Sequence, residues 1–144
     1  MRTFLRRFGA DIDKPVRITD VAGDEIVISD ELFRMANGGW KVTKRKRAPV
    51  LLLLAETILD PDEIWLSVAE KKDEQGRLGA HVDRRYLRFD PKTGLVVIFD
   101  WNWRSWQWEG ATTFPPQRKG KSMRTDVRQM ERRREGILLY RRNK

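Results

Sequence analysis

His81, Arg84, Arg85 and Arg88 fall in one short stretch, and their types suit chemistry on a phosphodiester. As a strand, the stretch alternates. Val82, Arg84, Tyr86 and Arg88 take one face, and Asp83, Arg85, Leu87 and Phe89 the other, so cations stand on both sides. An arginine on a sheet face suits a phosphate, because its planar fork meets two oxygens at once. Thr112 and Thr113 end a neighbouring strand, and their hydroxyls could donate to the same group. Lys41, Lys44 and Arg47 precede a helix and could close the pocket. Metal-independent RNA cleavage needs cations and hydroxyls around the pentavalent oxyanion. It also needs a proton acceptor for the ribose 2′-OH. The acceptor candidates are His81 and a carboxylate such as Glu109. Plainer roles stand beside these: a capping histidine, strand-forming threonines and solvated arginines. The cluster Trp101, Trp103, Trp106 and Trp108 fits either sheet packing or base stacking.

Other chemistries lack their residues. The chain has no Cys and one His, which excludes a disulfide framework, a thiolate nucleophile, a Cys-based zinc site and a two-histidine ribonuclease centre. No metal and no cofactor are expected. No glycine-rich phosphate loop is present, and Asp60, Asp62 and Glu63 fit a helix-to-strand turn, where capping explains them. The 144 residues carry a net charge of +9, with 35% charged residues against a typical ~25%. Lys41 to Arg47 holds +5, and Thr112 to Lys144 holds +8. If the two meet beside the Arg85 strand, they make one basic surface suited to a polyanion. The longest apolar run, Ala48 to Ala55, contains Pro49 and falls far short of the ~20 residues that span a bilayer. Met1 to Ala10 carries three Arg and no apolar core of a signal peptide. A soluble protein without membrane partners is expected.

The elements that must position these residues follow from periodicity. Residues 1–39 read as a short arm or accessory segment, with strands at Val16–Ile18 and Glu25–Ile28 and a short helix from Asp30. Residues 40–144 read as one α+β domain. Pro49 in a first turn and the Asp60-Pro61 stop bound a helix over Ala48–Leu59, with Leu51, Leu54, Ala55 and Ile58 on one face. A four-stranded antiparallel meander then runs to Phe114, joined by hairpin-length turns. A basic helix is expected from about Ser122, ended by Gly136, before a last strand at Ile137–Arg141.

The ordered set Lys41–Arg47, Asp60–Trp65, Arg84–Leu87, Val96–Phe99, Thr112–Pro115 and Gly136–Arg141 resembles the phage-borne branch of the barnase–EndoU–colicin–RelE nuclease superfamily. Such domains occur in phage and prophage proteins, often attached to the C-terminal side of MuF-like head-morphogenesis proteins. The resemblance implies one or two N-terminal helices followed by a curved antiparallel sheet of four to five strands. It also implies metal-independent, toxin-type RNase activity in the host cytoplasm or the virion. RNA, an immunity protein or antitoxin, and phage head or portal proteins are the implied partners. Matched to the family's polar pattern, Lys44, Arg85, Thr113, Tyr140 and Arg141 are the expected catalytic set. Lys41, Arg47, Arg84, Arg88 and Arg134 are the expected nucleic-acid contacts. The alternative is a non-catalytic nucleic-acid-binding or head-assembly module with the same fold.

Overall fold

The computed structural model describes residues 2–33, 48–89, 94–114 and 132–142. The order is α1 (Arg2–Arg7), β1 (Val16–Thr19), β2 (Glu25–Ile28), a 3-10 turn (Asp30–Phe33), α2 (Ala48–Leu59), β3 (Glu63–Lys72), β4 (Leu78–Phe89), β5 (Gly94–Asn102), β6 (Gln107–Phe114) and β7 (Ile137–Arg141). The strands form one sheet in the order β1-β2-β6-β5-β4-β3-β7. Neighbours are antiparallel except β2 and β6, which run parallel through Ile26↔Trp108 and Val27↔Glu109.

The α+β class stands, but four to five antiparallel strands understate the sheet. It has seven strands and is mixed. The extra strands come from the segment expected as an arm. Phe4, Leu5, Ile26, Ile28, Leu32 and Phe33 are buried in the same core as Leu54, Ile58, Ile64, Tyr86 and Phe99. The basic helix from Ser122 falls mostly outside the described residues, as do Lys41, Lys44 and Arg47.

α2 covers one sheet face. Leu51, Leu54, Ala55 and Ile58 are buried beneath it, while Leu52 and Leu53 face outward. Asp60 and Asp62 do tie down the turn that follows. The Phe89 N–H donates to Asp62 Oδ2 at 2.6 Å, and Arg142 pairs with Asp60 at 3.0 Å. Arg88 donates to the Glu56 and Asp60 carbonyl oxygens at 3.4 Å each. A cation there suits the negative end of the helix dipole. This local task occupies Arg88, which was expected on nucleic acid.

Arg84, also expected on nucleic acid, is held inside the fold. It lies on the covered face with 1% of its surface exposed. Its Nη2 donates to Asp20 Oδ2 at 2.6 Å, and its Nη1 lies 2.9 Å from Asp24. The Tyr86 hydroxyl also donates to Asp20. Burial pulls the Arg84 pKa down, but Tyr86 and Asp20 outweigh it and hold the group above its ordinary value. A buried cation is stable only when paired in this way. The pair pins the β1–β2 turn to the sheet.

Candidate functional site

The opposite sheet face carries the polar residues. Strand alternation and register assemble them in rows. Ser67, Asp83, Asp100 and Glu109 are consecutive partners across β3, β4, β5 and β6. Along β4, His81, Asp83 and Arg85 follow at every second residue, so they share that face.

His81 Nε2 lies 3.2 Å from Asp100 Oδ1, with side chains 28% and 41% exposed. Burial raises the Asp100 pKa, and the Asp83 carboxylate adds to the rise, while His81 and Lys71 oppose it. Arg85 Nε donates to Asp83 Oδ1 at 2.8 Å. Arg85 Nη1 donates to the Arg133 carbonyl at 3.4 Å and lies 3.8 Å from Glu135. The Arg133 pKa is lowered by burial and then by repulsion from Arg85. Part of the C-terminal basic segment therefore reaches the Arg85 strand.

Glu63 is a second centre on the same face. It accepts from Arg134 Nε and Nη2 at 2.7 and 2.8 Å and from Trp65 Nε1 at 3.0 Å. Arg141 Nη2 stands 3.2 Å away. Burial pushes the Glu63 pKa up, but the Trp65 and Arg134 hydrogen bonds and the nearby cations prevail and lower it. Arg134 and Arg141, expected to face a substrate, thus converge on one carboxylate.

The other expected residues separate. Glu109 stands beside Asp100 in the row. It accepts from the Asn102 side chain and from Gln107 Nε2 at 3.0 Å. Tyr140 packs against the core from the covered side. The Thr112 backbone is in register with Ile98 and hence with Arg85, whereas Thr113 is in register with Val97 and Tyr86.

Sequence reasoning did not single out Asp83, Asp100 and Glu63 as site residues. The period of two in β4 joins Asp83 to Arg85. Asp100 could be found only through the β4–β5 register.

His81, Asp83 and Asp100 each offer one ligand atom, and these lie within 4.8 Å of one another. The trio could hold a divalent cation. The Arg85 guanidinium, already on Asp83, competes for that carboxylate.

A sheet covered by helices on one side and carrying histidine, carboxylates and arginines on the other is an architecture able to work on phosphodiesters. The chain belongs to the family of phage-Barnase-EndoU-ColicinE5/D-RelE-like nuclease 2, whose model matches residues 3–141. The resemblance carried by the sequence is thereby shown. No curated protein and no solved structure matches the chain. Among the described residues, no helix is long and apolar enough to cross a membrane.

Proposed function

We propose that this phage nuclease domain cleaves RNA by transesterification without a metal ion, with His81 as the base. The observation that carries this reading is the His81–Asp100 pair beside Arg85 on the polar face. Asp100 holds the Nε2–H tautomer, which leaves Nδ1 to take the 2′-OH proton. The 2′ oxygen then bonds to phosphorus as the bond to the 5′ oxygen breaks, and the departing oxygen takes its proton from water. Arg85 supplies charge to the phosphorane as it turns from Asp83 to the phosphate, with Arg133 adding to the field. Arg85 already sits between two acceptors, which favours such a switch. Host RNA as the target would make the domain toxic and call for an immunity protein. Release with phage head proteins would deliver it.

The test is purified protein with total and transfer RNA in EDTA across neutral pH. Cleavage that His81→Ala abolishes supports the assignment. Cleavage only after Mg²⁺ or Mn²⁺ is restored assigns the His81–Asp83–Asp100 trio to a cation instead. No cleavage in either condition sinks the catalytic reading.

One observation favours the alternative, a non-catalytic nucleic-acid-binding or head-assembly module. Arg85, Arg134 and Arg141 are each already matched by a carboxylate. That reading gives salt-sensitive RNA binding without turnover.

A further inference from the structure

The covered side of the sheet ends in an open groove of about 540 Å³, built around four indoles with no α2 residue in its lining. Leu66 and Val82 line it with Trp101, Trp103, Trp106 and Trp108, and Arg17, Asp24, Glu25 and Gln107 add polar groups, with Asp24 held by Arg84. Trp101 is the hub. Its ring lies 6.2, 5.3 and 5.1 Å from those of Trp103, Trp106 and Trp108, tilted by 66° to 85°. Each edge-to-face contact uses one ring's edge and its partner's face, and the ring surface left open is that of Trp103 and Trp106.

Two features are unexplained by packing alone. Trp103 and Trp106 remain 54% and 67% exposed. Trp106 also has φ 57°, a left-handed conformation that a bulky residue adopts only at a cost. The turn enforces it. The Trp106 N–H donates to the Asn102 carbonyl at 2.8 Å, and Asn102 Oδ1 accepts from Arg104 and Ser105 at 2.9 and 3.1 Å. The Trp103 indole is anchored by its Nε1–H to the Ala80 carbonyl at 3.1 Å. Backbone strain spent on presenting a large aromatic to solvent points to a ligand.

We infer that this groove is a stacking subsite for unpaired bases of a nucleic-acid strand, on the sheet face opposite the His81–Asp100 pair. The inference takes its ligand class from the proposed function. The chemistry matches that class. Flat heteroaromatic rings stack on open indole faces. Their edges carry both donors and acceptors, as do Arg17, Gln107 and Glu25 around the groove. Arg17 bridges the other two, donating to Glu25 Oε1 at 2.9 Å and to Gln107 Oε1 at 2.9 Å. The chain's charge of +9 draws the strand to the domain. The indoles hold bases once it arrives.

The test uses the full chain and single-stranded deoxyoligonucleotides, which lack the 2′-OH and cannot be cleaved by transesterification. An eight-nucleotide oligo(dA) should quench tryptophan fluorescence and bind about tenfold tighter than an abasic oligomer of equal length. Trp103→Ala and Trp106→Ala should each remove most of that preference. Trp106→Gly relieves the positive φ, so it should keep or raise the urea midpoint while losing the preference. Equal binding of the abasic strand, or an unchanged preference in a folded Trp106→Gly protein, overturns the inference. So does a concentration-dependent dimer that the Trp variants abolish, because the groove would then hold a second copy. Base-dependent binding with no RNA cleavage would keep the subsite and sink the nuclease reading. Cleavage with KM unchanged in the Trp variants would do the reverse.

Discussion

The Nε2 atom of His81 lies 3.2 Å from Oδ1 of Asp100, across adjacent strands of the polar sheet face. In the proposed mechanism this pair makes one histidine nitrogen a donor to the carboxylate and leaves the other to accept a proton. His81→Ala should lower kcat by about 10²–10⁴-fold, the usual worth of a positioned base, while leaving RNA affinity near wild type. A gel shift and a cleavage time course on the same protein separate the two effects.

The His81–Asp100 pair should set a pH limit as a unit, because a proton taken up by either partner ends the base's role. Burial and Asp83 raise the Asp100 pKa, so Asp100 loses its charge at a higher pH than an ordinary aspartate. Asp83→Asn removes one cause of the rise. The acid limb of kcat/KM should therefore move to lower pH in that variant. A limb that stays in place, or moves up, would reject the His81–Asp100 pair as the unit that titrates.

Asp20→Asn should be among the most damaging single changes outside the polar face. Arg84 and Asp20 have side chains 2% and 0% exposed, and the variant leaves a buried cation without its closest counter-charge. The expected loss is about 3–5 kcal/mol, measured by urea unfolding. An effect below about 1 kcal/mol would mean that Asp24 alone sustains Arg84.

Glu63→Gln should destabilise the fold by about 1–3 kcal/mol at neutral pH. The folded-state pKa of Glu63 is lowered, so its contribution is present above the unfolded value. It is lost as pH falls through the folded value. The gap between wild type and variant should therefore close in acid. A gap that stays constant from neutral pH to about pH 3 would assign the effect to packing.

Gly136→Ala tests how the last strand delivers its arginines. Gly136 has φ 96°, and an added Cβ would lie 2.1 Å from the Leu66 carbonyl oxygen. The strand entry must shift, at a cost of about 2–4 kcal/mol. Because Arg134 sits just before this point, its hold on Glu63 should weaken as well. Urea unfolding of Gly136→Ala alone and in the Glu63→Gln background would show the two losses to be less than additive.

Local signals carried much of this fold. Pro49 and Asp60-Pro61 bound α2 at the residues observed, because a helix start and stop are written in neighbouring residues. Alternation separated Arg84 from Arg85 correctly. Which of them is buried was not legible, since both faces of β4 carry arginine. Asp20 arrives from 64 residues away to settle it. β1 and β2 were visible as strands but not as members of the main sheet, because a pairing between distant segments leaves no periodic trace. The same holds for the site. Arg85 and His81 could be named from one stretch, whereas Asp100 and Glu63 matter through partners on other strands.

The parallel contact between β2 and β6 joins the start of the chain to a strand near its other end. Such a closure loses much chain entropy before it gains any burial, so it belongs late in folding. Until then β6 presents a bare edge next to a hairpin rich in tryptophan, a template for pairing with another molecule. Refolding should accordingly be slow, on the order of milliseconds to seconds. Its yield should fall as protein concentration rises.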